Sequence, residues 1–302
     1  MNAMQTSWGT LISAAELASA LGRSDVVVVD TRSRLGDPAT AEAAYRQAHI
    51  PGARYAHLER DLSAPEGTAP ALRIDAGRHP WPQLDEFLAT LGRWGITPQT
   101  QVVAYDAGDG ALAAARLWFL LRMLGHERVA VLDGGWEQWL AQGLPVETRV
   151  PEPVPSQYVA SFDESRLLDA AQVQAHLDGG GLLFDARAHE RFRGDVEPID
   201  SVAGHVPGAR NRPYASSMRD GRFRPAAELA SELSALLEGR PASEAAVMCG
   251  SGVTACHLLL AMEHAGLKGA RLFKGSWSGW INDPKRPIGK GDEPAVTKIR
   301  TT

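Results

Sequence analysis

Two cysteines occur in the 302 residues, Cys249 and Cys256, and the surroundings of the first suit nucleophilic chemistry. The run AAVMCGSGVTACHLLLAMEHAG over 245–266 reads as a buried strand, a tight loop and a helix, with Cys249 as the first loop residue. Gly250 and Gly252 let the main chain turn without side-chain clashes. The N–H groups of Gly250, Ser251, Gly252, Val253 and Thr254 can then point inward as a concave nest. The following helix adds the positive end of its dipole and its unpaired donors, with Thr254 placed to cap it. Such surroundings favour thiolate over thiol and stabilise negative charge developing on an atom attached to the sulfur. An isolated CGSG fits equally well a buried strand-end cysteine beside an ordinary left-handed turn, so the rest of the chain has to decide. Cys256 is not in CxxC spacing and reads as a small packing residue. Two cysteines are too few for a disulfide framework, and no histidine cluster suggests a zinc site.

The elements that position this loop occur twice. VVVVDTRS (26–33) returns as LLFDARA (182–188), and AHIPGAR (48–54) as GHVPGAR (204–210). The stretch VVAYDAGDGALAAARLWFLLRMLGHERVAVLDGGWEQW (102–139) returns as AAVMCGSGVTACHLLLAMEHAGLKGARLFKGSWSGW (245–280). Between the copies, GLPVETRVPEPVPSQY carries four prolines, which restrict the backbone and favour an extended linker. The expected division is a first unit over 8–146, a linker over 147–160 and a second unit over 161–290. Each unit alternates apolar runs with helical periods, which predicts α/β units around a mainly parallel sheet. Strands are expected at 26–30, 102–105 and 129–132, then at 182–185, 245–248 and 270–273; helices are expected at 111–125, 227–239 and 254–266. Trp118, Phe119, Trp136 and Trp139 fall on helical spacings as core residues.

Bulk composition narrows the partners. With 44% hydrophobic and 22% charged residues the chain can bury cores, and a net charge of −5 leaves no basic footprint for nucleic acid. Apolar runs such as Val26–Val29 are too short to cross a bilayer. The first residues lack a basic region ahead of an apolar stretch, so cytoplasm is the expected compartment. Nothing in the sequence calls for a cofactor or a metal.

CGSGVTA after a strand, DAR and GHVPGA earlier in the same copy, and the DGGW/KGSW strand exits resemble the rhodanese/3-mercaptopyruvate sulfurtransferase family over roughly residues 10–285. The resemblance implies two tandem rhodanese-like domains, of which only the second carries the cysteine; Asp106 stands in the equivalent place of the first. A cysteine phosphatase of the same fold would need HC before a longer loop ending in Arg, where this chain has Met248 and Ala255.

The family's chemistry implies a Cys249 persulfide that carries sulfur from a small anionic donor to cyanide or to a thiol acceptor such as a thioredoxin-like protein. The alternative is a carrier module that hands its persulfide to a partner without turnover. Arg191 matches the family's donor-binding arginine, whereas Arg187 reads as a structural ion pair and Arg193 as a surface charge. Specificity markers conflict. CGSGVT is the mercaptopyruvate-type loop, but EPID places Ile199 where such relatives carry a second arginine, which leaves Arg212 as a candidate second cation. The loop touches the donor more directly and favours 3-mercaptopyruvate, with thiosulfate as the second candidate donor. Ser251 is either a proton relay or a turn residue. The resemblance suggests His49 and Asp37 as its partners in a proton-handling triad, against a reading of His49 as a buried residue holding the HIPGA turn, as His205 would in the second copy.

Overall fold

The computed structural model describes residues 7–64, 75–108 and 113–292. Its first sheet contains β1 (Leu11–Ile12), β2 (Val26–Asp30), β3 (Arg54–Tyr55), β4 (Gln101–Tyr105) and β5 (Val129–Leu132), all parallel, in the order β1-β5-β4-β2-β3. In the second half come β6 (Leu167–Leu168), β7 (Leu182–Asp185), β8 (Arg210–Asn211), a hairpin of β9 (Met218–Arg219) and β10 (Arg222–Phe223), then β11 (Ala245–Met248) and β12 (Arg271–Phe273). Its parallel sheet has the order β6-β12-β11-β7-β8. The two orders are identical once the copies are superimposed, as expected of a duplicated α/β unit with two parallel-sheet domains.

The six expected strands lie where the apolar runs placed them. β-branched and small apolar residues buried on both faces make β4 and β11 the central strands. The two-residue strands β1, β3, β6, β8, β9 and β10 were not expected, because they are too short to show any period. Helices Ala114–Met123, Ala226–Leu236 and Ala255–His264 match the expected ones to within three residues at either end; residues 111 and 112 of the first lie outside the described residues. The Pro-rich stretch lies along the first domain. Its Ser156 donates from main chain and hydroxyl to the carbonyls of Gly92 and Ile96 at 2.9 and 2.6 Å.

Parallel strands deliver their C-terminal ends to one edge of a sheet, where ligands bind. Asp106 follows β4 there, and Cys249 follows β11. The helices leaving these two loops, Ala114–Met123 and Ala255–His264, are apolar nearly all round and pack on each other, so one core runs through both domains. The junction therefore sits beside the cysteine loop. Trp118, Phe119 and Trp139 are fully buried as expected, while Trp136 is partly buried beneath the Arg32 guanidinium.

Phe119 and Trp81 meet in a T-shaped pair with ring centres 6.0 Å apart, and the Arg166 guanidinium of the second domain lies 5.1 Å over the Phe119 ring. Phe119→Ala is expected to cost about 3–5 kcal/mol of unfolding free energy. A urea titration checks this as a lowered midpoint at unchanged slope.

Candidate active site

The Cys249 loop is stapled from below by the KGSW segment. The Cys249 amide donates to Ser276 Oγ at 3.1 Å, while the carbonyls of Cys249 and Gly250 accept from Trp277 N–H (3.0 Å) and Ser278 N–H (2.8 Å). Ser276 has φ +51°, where the first copy has Gly135 at φ +54°. A serine in the left-handed region costs about 1–2 kcal/mol, and here it supplies the hydroxyl that accepts the Cys249 N–H. Only a glycine-for-serine exchange between the copies could have marked it in the sequence.

Gly252, at φ +80°, donates its amide to Cys249 Sγ at 3.2 Å, and a Cβ there would lie 2.8 Å from the Lys274 carbonyl. Of the five amides expected to form the nest, this is the one hydrogen-bonded to the sulfur. Thr254 stands at the start of the Ala255–His264 helix but makes no side-chain capping bond, because its backbone is already helical. Cys256 donates its thiol to the Gly252 carbonyl at 3.3 Å, and burial pushes that thiol up to about 12.

Cys249, 2% exposed, lines a cavity of about 210 Å³ between the domains. The second domain contributes Arg187, Arg191, Ile199, Tyr214, Gly250, Ser251, Val253 and Thr254, and the first contributes Ser33, Leu35, Leu58, Arg78 and His79. Arg191 meets Glu197 at 2.7 Å and Asp200 at 3.2 Å. Arg187 is bound side-on by Asp185 and stacks 4.8 Å over Trp277, mirroring the Asp30–Arg32 pair over Trp136. Arg193 pairs with Asp195 and Asp292. Arg212 does not reach the cavity; it is drawn to Glu232, Ser217 and the Pro213 carbonyl.

The histidine that meets Ser251 is His79, sharing a hydrogen bond of 2.8 Å between Nδ1 and Ser251 Oγ. Its Nε2 lies 3.6 Å from Glu59 Oε1, and the imidazole holds the Glu59 carboxyl below its ordinary range. His49 and Asp37 are not brought to Ser251. His49 is buried, with Nδ1 2.8 Å from the Tyr45 carbonyl and Nε2 3.2 Å from that of Arg149. His205 holds the matching turn through the Phe192 carbonyl, so these paired histidines fasten each domain to itself. Asp37 caps the Pro38–Gln47 helix by accepting from Thr40.

His79 is carried by a segment that docks on the Ser276–Trp280 helix. A Cβ at Gly77 would lie 2.4 Å from the Gly275 carbonyl, and the Arg78 amide donates to Ser278 Oγ at 2.9 Å. Arg116, fully buried, reaches over from the first domain to donate to the Gly252 carbonyl at 3.2 Å. Residues 75–82 have no counterpart in the repeated blocks, and that was the only sequence signal for Arg78 and His79.

Among the described residues no group of three His, Cys, Asp or Glu could hold a metal ion, and no helix is long and apolar enough to cross a membrane. The arrangement offers a sulfur nucleophile, a hydroxyl–imidazole proton path and arginines in one small cleft.

The Rhodanese-like domain family matches residues 13–142 and 169–283. The chain is 47% identical over 285 residues to a probable 3-mercaptopyruvate sulfurtransferase of Pseudomonas aeruginosa, covering 93% of this chain and 98% of that protein. It is 41% identical to a putative thiosulfate sulfurtransferase of Mycobacterium tuberculosis, covering 95% of this chain and 99% of that one. The crystal structure of SseA from Escherichia coli, a 3-mercaptopyruvate sulfotransferase by its description, superposes with a TM-score of 0.73 at 29% identity, over 90% of this chain and all of that one. This chain belongs to the rhodanese family as a protein of two tandem domains, and sulfur transfer is the activity that its fold and relatives support.

With its thiol raised to about 12, Cys256 exposes on the order of 10⁻⁴ of thiolate at pH 8. Iodoacetamide applied to the native protein at that pH should label Cys249 and leave Cys256 unmodified until the chain is unfolded. Peptide mass spectrometry reads the result.

Proposed function

We propose that the protein is a 3-mercaptopyruvate sulfurtransferase in which Cys249 is the nucleophile. Its thiolate attacks the donor's sulfur while Arg191 and the loop hold the donor. The carbon–sulfur bond breaks, and its electron pair passes to C3 of the departing pyruvate enolate. That carbon takes up a proton, pyruvate leaves, and Cys249 retains the extra sulfur as a persulfide. A thiolate acceptor, from a small thiol or a reduced thioredoxin-like protein of the cytoplasm, then attacks the outer sulfur and restores the Cys249 thiolate.

The observation that carries this reading is the 2.8 Å hydrogen bond between Ser251 and His79 beside Cys249. An enolate leaving group needs a proton, whereas the sulfite released from thiosulfate needs none. Ser251 can relay that proton from His79, while Glu59 orients the ring and balances its charge when protonated. The loop also lacks the two cations of CRKGVT, the thiosulfate-type sequence; Gly250 and Ser251 stand in their place.

Steady-state pyruvate release from 3-mercaptopyruvate, with cyanide as acceptor, tests the proposal. Wild type should cycle and Cys249→Ser should not; one stoichiometric release followed by a stall would instead mark a persulfide carrier. His79→Gln should lower kcat with 3-mercaptopyruvate by about 100-fold and that with thiosulfate far less. Equal losses with both donors would contradict the proton role.

A further inference from the structure

Asp200 lies beside the cysteine loop and touches both domains. Its Oδ1 pairs with Nη1 of Arg78 from the first domain, and its Oδ2 lies 3.2 Å from Nη2 of Arg191 in the second. The side chain is 3% exposed. These groups converge directly over the cysteine loop. A Cβ placed on Gly250 would lie 3.4 Å from Arg78 Nη2, 3.6 Å from Arg191 Nη2 and 3.7 Å from Asp200 Oδ2.

The three arginines that line the cleft are matched by an equal number of carboxylates. Arg78, Arg187 and Arg191 are matched by Asp185, Glu197 and Asp200, through the pairs Arg78–Asp200, Arg187–Asp185, Arg187–Glu197, Arg191–Glu197 and Arg191–Asp200. Four of the five pairs involve a carboxylate other than Asp185, so both guanidiniums nearest the loop are already partly neutralised. Arg78 nevertheless keeps capacity for a ligand. Among the described residues its Nη2, which faces Gly250, has no hydrogen-bond partner, and its buried Nε has none either.

We propose that Asp200, held between Arg78 and Arg191, selects the donor by charge, and that Arg78 is the second cation that contacts the donor. The proposal rests on the reading of the cleft as a sulfur-donor site and names the donor class as monoanionic. A single carboxylate can share the unused Nη2 of Arg78 with Arg191. A dianion such as thiosulfate must give up the hydration of a second charge in a cleft with no net positive charge to replace it. Asp200 also keeps two guanidiniums of like charge aligned in a space that they would otherwise widen. Arg78 thereby stands in for the cation that Ile199 does not provide, and it comes from the opposite domain.

Substitutions that alter the charge in opposite senses test this. Asp200→Asn leaves a hydrogen-bonding side chain of the same shape and one more net positive charge; Arg78→Gln leaves one fewer. The ratio of kcat/KM for thiosulfate to that for 3-mercaptopyruvate should rise about tenfold in Asp200→Asn and fall by a similar factor in Arg78→Gln, mainly through KM. Asp200→Glu, which retains the charge, should stay near the wild-type ratio. An active wild type whose ratio shifts in the same direction in both charge variants, or in neither, overturns this inference alone. Failure of wild type to turn over either donor removes the donor-site reading and this inference with it. Should Asp200→Asn fail to fold, the fall in Arg78→Gln still decides.

Discussion

Arg116 leaves the Ala114–Met123 helix of the first domain and ends, fully buried, against four main-chain carbonyls. Leu62 accepts at 3.4 Å, His79 at 3.5 Å, Pro80 at 3.4 Å and, from the second domain, Gly252 at 3.2 Å. The Trp81 ring covers it at 4.3 Å, and no carboxylate lies within 4 Å among the described residues. Burying a cation costs several kcal/mol unless its donors are satisfied, and the planar fork of arginine satisfies them with carbonyls spread over three chain segments. Burial pulls the guanidinium below its ordinary value, and the Cys256 and Cys249 sulfurs push the other way. One side chain thus fixes the backbone that carries His79 and also the carbonyl of Gly252, whose amide meets Cys249 Sγ. The Cys249 loop and the Ser251–His79 hydrogen bond are held in register through this group.

This dependence gives the cysteine-free copy a physical role. Its central strand ends in Asp106 instead of cysteine, yet it retains the sheet order, the Asp30–Arg32 pair and the His49 turn of its partner. Those shared features make two stable domains. The surroundings of Cys249 are built from what the copies do not share: the cysteine loop on one side, and Glu59, Arg78, His79 and Arg116 on the other. Ser276 follows the same logic, since it stands where the first copy keeps glycine and its strained backbone presents a hydroxyl to the Cys249 amide.

Much of this was legible in the sequence. Repeated blocks and apolar runs placed six strands and three helices, and the glycine spacing after Cys249 marked the loop. Arg191 and Ser251 were recognisable as cleft residues, and Arg187 as an ion pair. The histidine was misassigned because AHIPGAR is conspicuous as a repeat, and a feature present in both copies serves the fold they share. His79 sits in a segment with no repeat, next to prolines, and meets Ser251 only when helices 114–123 and 255–264 pack. Arg116 falls inside the expected helix 111–125, where nothing in the sequence sets it apart. Contacts made across a domain junction leave no periodic trace in either partner, so only the folded chain could reveal them.

The proposed transfer requires sulfur to be loaded onto Cys249 within the interdomain cleft. Brief treatment of the native protein with 3-mercaptopyruvate, followed by alkylation, proteolysis and fragment-ion mass spectrometry, tests this directly. It predicts one added sulfur atom on Cys249 and none on Cys256. A chain that releases pyruvate while neither cysteine gains sulfur, or one in which Cys256 carries it, would contradict the account.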